Sequence, residues 1–397
     1  MNSLRNLTWK ETAFLILIVL MTLGMLAHGY MHGADFHVFY VAGLRVLDHQ
    51  PIYQASDGWM PFKYHPAWAG FFALGSWMPE KLFLTLFNIV HLAVWWNVAY
   101  RVAAKLSYNL STWRAKLIIT ILSLSALSAE IGYGQINGFI FLGILIVFEL
   151  LEGENNHPIK AGVIVALLTS IKLNFGLLLV YAFIKSPRTL IGFIFGILAL
   201  HLAVVIWFQD PLGTELYKSW VDLLLDQSSS QFTLFEAQGF LRFFMEISES
   251  LGKYLWLTWL IIFCLIAAVL NRAGSGKCSF NWPPRIKEIA ANYVGTPELC
   301  VWLAAIYLFS PLAWWYQLLF MFPLGFYLWK QPLSKLERKL VIACFFVYGF
   351  ITYNTLGHDG IIVFKTYMGF YFASDILLII LGLRILQRVS VLPSSIR

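Results

Sequence analysis

Apolar runs close to the length of a membrane span recur along most of this chain. They lie at about 12–28, 82–103, 115–130, 134–151, 189–208, 253–271, 313–329, 339–356 and 363–386. A helix needs about 20 mostly apolar residues to cross the hydrocarbon core of a bilayer. Because 59% of the 397 residues are hydrophobic and only 12% are charged, these runs predict an all-α polytopic membrane protein.

One apolar segment, 161–184, is long for a single helix and carries Lys172-Leu173-Asn174 at its centre. We expect two short helices that meet at this tripeptide. Basic residues collect in cytoplasmic loops, and this rule gives twelve crossings only if Lys172 forms a turn on the outer side. The sequence therefore predicts about twelve transmembrane or partly spanning helices, with a further short helix at 297–309.

The outer side of this topology carries two long segments, 29–81 and 209–252. The second is acidic, as expected of amphipathic helices packed over the membrane domain. The net charge of +7 is mostly the orientation signal, so no nucleic-acid partner is expected. The four cysteines fall in spans or on the cytoplasmic side and form no disulfide framework. We expect one multispanning membrane domain over 1–397, with outer-face loops at 29–81 and 209–252.

Asp35 directly follows the first apolar run, where a carboxylate would stand at the membrane surface. It is flanked by Phe36 and Phe39 and gains nothing from contact with lipid. Ionisable residues at membrane depth usually mark a pathway or a reactive site. The nearby Tyr53 and Tyr64 have another explanation, because aromatic side chains are enriched at the membrane interface.

Two further outer turns carry polar side chains of open role. Gln135 and Asn137 follow Gly134 in a predicted turn, where their amides either bind a hydroxyl-rich ligand or cap the next helix. Lys172 either extends its amine to the interface or binds an anion. Its position inside a broken apolar segment favours anion binding, because broken helices at membrane depth line cavities.

The last two outer turns carry aromatic and charged residues. Ser310-Pro311 interrupts a pair of helices, since proline removes a backbone donor, and Trp314 and Trp315 follow. The two indoles form either a platform for sugar or lipid or part of an interfacial aromatic belt. His358 and Lys365 belong to the final outer turn, where polar residues are expected in any case.

These pieces, in this order, resemble glycosyltransferase family 87, the bacterial polyprenol-phosphate-mannose-dependent mannosyltransferases of the C-type superfamily. The matching residues run through most of the chain: Asp35 with Tyr40 and Gly43, Pro51-Ile52-Tyr53, Tyr64-His65-Pro66, Gly134-Gln135-Ile136-Asn137, Ile171-Lys172, and Ser310-Pro311 with Trp314. One departure stands at Tyr316-Gln317, where relatives often carry a histidine.

The resemblance implies a C-type architecture with outer-face amphipathic helices, in the inner membrane of the cell, with the active site on the non-cytoplasmic face. A sugar would pass with inversion from a polyprenyl-phosphate carrier to a glycolipid or glycan acceptor, and membrane lipids would be the remaining partners. No cofactor and no metal would be needed. Asp35 would be the base and Lys172 the first cation for the donor phosphate. Other substrate-binding candidates are Arg45, Lys63, Tyr64, His65, Gln135, Asn137, Trp314, Trp315, His358 and Lys365.

Two other classes compete with this reading. A transporter or a flippase for lipid-linked sugars would also be polytopic, basic inside and built with broken helices. Transporters usually place ionisable groups near the bilayer midplane, whereas here they stand at span ends on one face, apart from Asp375 in the last span. A non-catalytic assembly subunit would tolerate loss of the Asp35 carboxylate.

Overall fold

The structure is a computed structural model, described over residues 8–54, 57, 61–108, 120, 123, 126–152, 156–209, 214–231, 239–274, 282–310, 315–350 and 370–389. Within these ranges every regular element is helical. The chain forms two compact units, the first of residues 1–145 and 197–228 and the second of 146–196 and 229–397. We describe each unit by itself, and the predicted organisation as one domain stays a prediction.

The described residues up to 231 contain ten α-helices. They are α1 (Trp9–Met31), α2 (Ala34–Leu47), α3 (Pro66–Ser76), α4 (Glu80–Lys105), α5 (Ala126–Tyr133), α6 (Asn137–Leu151), α7 (Pro158–Ile171), α8 (Leu177–Lys185), α9 (Thr189–Phe208) and α10 (Thr214–Gln231). A short 3-10 helix, Leu173–Gly176, separates α7 from α8. The predicted division of 161–184 at Lys172-Leu173-Asn174 is therefore confirmed.

The described residues from 239 onward contain seven further α-helices. They are α11 (Phe240–Ile247), α12 (Glu249–Gly274), α13 (Pro284–Tyr293), α14 (Thr296–Leu308), α15 (Phe322–Lys330), α16 (Lys335–Phe350) and α17 (Phe370–Val389). The short helix predicted at 297–309 is confirmed as α14. The described part of the apolar run at 313–329 contains a 3-10 helix, Trp315–Phe320, followed by α15, and its crossing of the membrane stays a prediction. Pro323 stands in the first turn of α15, a position where proline favours the start of a new helix.

Four helices in the described residues are long and apolar enough to cross a membrane: α1, α4, α9 and α12. Two bent pairs raise this number to six if each is counted as one span. They are α5 with α6, which meet at 116°, and α13 with α14, which meet at 78°. The predicted total of about twelve is not confirmed by these residues. The outer segment 209–252 contains α10, α11 and the start of α12, and its place at the membrane surface stays a prediction.

The first unit packs α2 closely against α3. A β-carbon at Gly43 would collide with Ser76 Oγ and stand 2.8 Å from the backbone nitrogen of Ala73. The Ser76 hydroxyl donates to the Tyr40 carbonyl at 3.1 Å, and the Tyr40 hydroxyl donates to the Met78 carbonyl at 2.9 Å. These contacts at the middle of α2 fix its position along α3. They therefore also fix the position of the first turn of α2.

The second unit contains a close crossing between α7 and the start of α9. A β-carbon at Gly162 would collide with the Thr189 carbonyl, and one at Gly192 would collide with the Ile159 carbonyl. Small residues permit such close approach between membrane helices. In the same unit, Asp375 of α17 is fully buried and accepts a hydrogen bond of 2.5 Å from the hydroxyl of Tyr348 in α16.

Candidate active site

Asp35 lies in the first turn of α2, where the helix dipole favours a negative charge. The preceding Gly33 has a left-handed backbone with φ of 53°, which ends α1 and turns the chain into α2. Its amide donates to the Gly132 carbonyl at 2.8 Å. This bond joins the turn before Asp35 to the last turn of α5. Asp35 as a whole residue is half-buried.

Gln135 supplies the contact that orients this carboxylate. Its side-chain amide donates to Asp35 Oδ2, and Gln135 itself is buried. The sequence left two roles open for Gln135, ligand binding and helix capping. The structure shows a different contact, with Asp35, which the sequence did not predict.

Asn137 is the first residue of α6 and takes a capping contact. Its backbone amide donates to Glu130 Oε2 at 3.2 Å, and its side-chain amide donates to Glu130 Oε1 at 2.5 Å. Asn137 and Glu130 are 1% and 0% exposed. The cap at the start of α6 is therefore the Glu130 carboxylate, and the Asn137 side chain is bonded to it; the predicted ligand contact of Asn137 stays a prediction.

His91 of α4 takes the next backbone amide of the same helix end. The Gly138 amide donates to His91 Nε2 at 3.2 Å, so this nitrogen is the unprotonated one and Nδ1 carries the hydrogen. His91 Nε2 also lies 3.9 Å from Glu130 Oε2. Because this nitrogen and the carboxylate oxygen are both acceptors, they form no hydrogen bond with each other. Glu130 is therefore held by Asn137 and the start of α6.

Tyr64 lies within electrostatic range of both acids. Burial raises the pKa of its hydroxyl well above the ordinary value, and the charges of Asp35 and Glu130 raise it further. The phenol therefore keeps its proton at neutral pH. Its ring packs edge-on against Phe39 of α2, with centroids 5.1 Å apart. Tyr64 therefore lies near Asp35, and its contact with substrate stays a prediction.

His65 and Lys63 contact helix α10. Burial lowers the pKa of His65 to about 4, and His201 lowers it too, so His65 is neutral at pH 7. Its Nδ1 accepts from the Ala67 amide at 3.3 Å and caps α3. The ring of Trp220 lies 5.2 Å from that of His65, and the Trp220 indole donates to the Lys63 carbonyl at 3.0 Å.

Arg45 forms a two-pronged ion pair with Asp57. The two guanidinium nitrogens lie 2.7 and 2.5 Å from the carboxylate oxygens, and one also donates to the Ile52 carbonyl at 3.0 Å. This contact shapes the loop after α2. A phosphate at Arg45 would have to compete with Asp57, so the predicted phosphate role of Arg45 stays a prediction that the pairing does not favour.

Lys172 belongs to the second unit. It is half-buried and has an extended backbone, with φ of −140° and ψ of 119°, between α7 and the 3-10 helix. Its carbonyl accepts from the Phe175 amide at 3.0 Å. The break therefore places Lys172 at the end of a helix, as predicted, and its phosphate contact stays a prediction.

Several predicted site residues lie outside the described residues: Trp314, His358, Lys365 and the side chain of Trp315. Within the described ranges, no three His, Cys, Asp or Glu side chains cluster in a way that could hold a metal ion. The metal-free and cofactor-free reaction stays an expectation.

Two buried polar residues of the site were missed from the sequence. The turn from Glu130 to Asn137 was identified, but Glu130 itself was not chosen, and His91 was passed over inside the apolar run 82–103. A usable signal existed, since an ionisable residue within a span usually has a partner. The partner could not be named, because His91 and Gly138 are far apart in sequence.

Comparison with known proteins agrees with the resemblance. The family model for glycosyltransferase family 87 matches residues 62–282, which is more than half of the chain. The matched range includes Gln135, Asn137 and Lys172, and Asp35 precedes it. Neither the curated proteins nor the solved structures contain a match. The chain therefore belongs to glycosyltransferase family 87 and is a membrane glycosyltransferase.

Proposed function

We propose that the protein transfers mannose from a polyprenyl-phosphate carrier to a hydroxyl group of a glycolipid or glycan, on the non-cytoplasmic face of the inner membrane. One observation carries the proposal: Asp35, a half-buried residue at the start of α2, has a carboxylate that is oriented by Gln135. The family match supplies the reaction class. No cofactor takes part in the proposed reaction.

The proposed step is a single displacement with inversion. The acceptor oxygen forms a bond to the anomeric carbon while the bond from that carbon to the phosphate oxygen breaks, and the electron pair leaves with the phosphate. Asp35 takes the proton of the attacking hydroxyl, because aspartate is ordinarily ionised at neutral pH. A glycosidase would need a second carboxyl group beside the bond. Glu130 is unsuited to that role, since it is fully buried and bonded to Asn137.

The leaving group in this proposal is a lipid phosphate, which requires positive charge and no proton donor. Lys172 is the proposed cation, because an amine at the end of a broken helix can pair with a phosphate as a point charge. Tyr64 keeps its hydroxyl proton, and its proposed role is to donate a hydrogen bond to a sugar or phosphate oxygen. His65 is neutral and therefore adds no charge to the donor site.

The test is transfer of radiolabelled mannose from polyprenyl-phosphate-mannose to cell-envelope lipids by the purified protein in liposomes. Asp35→Asn is expected to lower the rate at least about 100-fold, which is typical for loss of a general base. Asp48→Asn is the matched control, because Asp48 is an exposed carboxylate at the other end of the same helix. Unchanged transfer by Asp35→Asn would exclude Asp35 as the base.

The choice of sugar is tested with the same protein. Polyprenyl-phosphate carriers that bear glucose or arabinose replace the mannose donor, and the rates are compared. Preference for mannose supports the proposal. Transfer of another sugar alone would keep the enzyme class and overturn the donor. Failure with every donor, together with movement of labelled lipid across the bilayer, would favour a flippase.

A further inference from the structure

Glu130 is fully buried at the end of the bent pair formed by α5 and α6, and the proposed reaction gives it no contact with substrate. A buried carboxylate is costly unless it is well bonded. Its two side-chain oxygens are both used by Asn137, the first residue of α6. The Glu130 carboxylate therefore determines where α6 begins.

The backbone of Glu130 fixes the same turn from its other end. The backbone amide of Gln135 donates to the Glu130 carbonyl at 2.8 Å. The segment 131–136, which comprises the end of α5 and the turn into α6, is thus closed by one residue: Glu130 accepts from the Gln135 backbone through its carbonyl and from Asn137 through its side chain. Gln135 lies between these two anchors and reaches Asp35.

The turn also packs directly on the helix that carries Asp35. Gly134 has φ of 69°, and a β-carbon there would stand 2.5 Å from the Phe36 β-carbon. The Gly33 amide donates to Gly132 from the other side. With its backbone held at these places, the turn can aim the Gln135 amide at only a narrow region of α2.

We propose that Glu130 is a positioning residue for the transfer reaction: by fixing the turn and the start of α6, it holds the Gln135 amide against the Asp35 carboxylate. This inference rests on the proposed role of Asp35 as the base. It assigns no chemistry to Glu130 itself. Small displacements of a catalytic group are sufficient to lower a rate about 100-fold.

Glu130→Gln tests this relationship without changing the side-chain volume. Glutamine has one acceptor oxygen in place of two, so its NH2 group would face one of the Asn137 donors. We expect kcat for mannose transfer to fall about 10- to 100-fold with KM within about twofold. Glu337→Gln is the matched control, because Glu337 is also buried and accepts a backbone amide at the start of α16, where glutamine serves equally well.

A double mutant separates positioning from a general structural role. If Glu130 acts through Gln135, Glu130→Gln should add almost nothing to the effect of Gln135→Ala. Independent effects would multiply, and this result would overturn the inference. Asn137→Ala approaches the same contact from its other end and is used if Glu130→Gln does not fold. It removes one donor and keeps Glu130.

A second readout needs no turnover, so it distinguishes failure of this inference from failure of the proposed function. The rate at which a water-soluble carbodiimide labels Asp35 is measured by mass spectrometry relative to exposed Asp48 on the same helix. We expect labelling of Asp35 to rise several-fold in both Gln135→Ala and Glu130→Gln, and to stay unchanged in Glu337→Gln. Unchanged labelling in Glu130→Gln, or an equal rise in Glu337→Gln, would overturn the inference even if no sugar donor is used.

Discussion

Gly134 lies so close to Phe36 that a β-carbon at position 134 would stand 2.5 Å from the Phe36 β-carbon. This approach brings the turn between α5 and α6 onto the first turn of α2. The candidate base and the amide that orients it thus meet through backbone proximity, in addition to the hydrogen bond between their side chains.

Gly134→Ala is expected to destabilise the protein by about 2–5 kcal/mol. The left-handed backbone costs alanine about 1–2 kcal/mol, and overpacking against Phe36 adds about 1–3 kcal/mol. Thermal unfolding in detergent measures the effect. Gly24→Ala is the control, because a β-carbon at Gly24 in α1 meets nothing within 4 Å. Equal melting temperatures for the two variants would contradict the close packing.

Gly192→Ala is expected to disrupt the crossing of α7 and α9. The new methyl group would collide with the Ile159 carbonyl, and backbone atoms have no alternative rotamer to adopt. We expect a loss of folded protein on size-exclusion chromatography after detergent extraction. Gly176→Ala provides the comparison, because the nearest atom to its β-carbon would be Thr169 Cγ2 at 3.7 Å, an ordinary contact. Normal yield of Gly192→Ala would show that the helices separate at little cost.

Acid is expected to destabilise the folded protein through His65, which packs against α10. The pKa of His65 is lowered by burial to about 4 in the folded protein, against about 6.5 in an unfolded chain. The unfolded state therefore binds more protons between these values. The contribution of His65 to the free energy of unfolding is fully present above pH 6.5. It is lost as the pH falls to about 4, by up to about 3 kcal/mol.

Melting temperatures between pH 7.5 and 4.5 measure this dependence. His65→Asn should flatten the curve, because asparagine can cap α3 without titrating in this range. His49→Asn is the control, since His49 is exposed and has φ of 54°, which asparagine adopts readily. A curve that keeps its full slope in His65→Asn would assign the acid sensitivity to another group.

Tyr348→Phe is expected to destabilise the second unit by about 1–3 kcal/mol, the cost of leaving a buried polar group without its hydrogen bond. The lost donor serves Asp375 Oδ1 at 2.5 Å. Asp375→Asn keeps an acceptor oxygen for the Tyr348 hydroxyl and should cost less. Thermal unfolding of both variants and of the double mutant gives the coupling between the two residues. Additive effects would show that the two side chains do not depend on each other.

Much of the helical pattern could be predicted from hydrophobicity alone. The prediction at 189–208 coincides with α9, and the interruption at Lys172 was visible because a charge is costly inside an apolar segment. Hydrophobicity alone did not show that the apolar run at 313–329 is divided between a 3-10 helix and α15, where Pro323 stands in the first turn. The number of crossings was inferred from loop charges, a signal that locates sides and does not determine helix lengths.

The candidate site was only partly predictable. Asp35 could be chosen because its position after a span has no structural benefit. Its contact with Gln135 joins residues 100 positions apart, and no local pattern encodes such a pair. Arg45 and Asp57 are only 12 positions apart, yet their pairing was missed because each charge was considered alone. Long-range pairing requires the packing of α2, which depends on Gly43 and Ser76.

The bond from the Gly33 amide to the Gly132 carbonyl is made entirely by main-chain atoms. Apart from proline at position 33, no exchange of one side chain for another removes either atom. Substitution of Gly33 or Gly132 would disturb the bond only indirectly, because a β-carbon there would stand 2.5 Å from Leu84 Cδ2 or from His28 Cδ2, respectively. Replacement of the amide by an ester through chemical synthesis or semisynthesis would be needed to break the bond selectively. Ordinary genetic variation can therefore distort this link beside Asp35 but can hardly delete it alone.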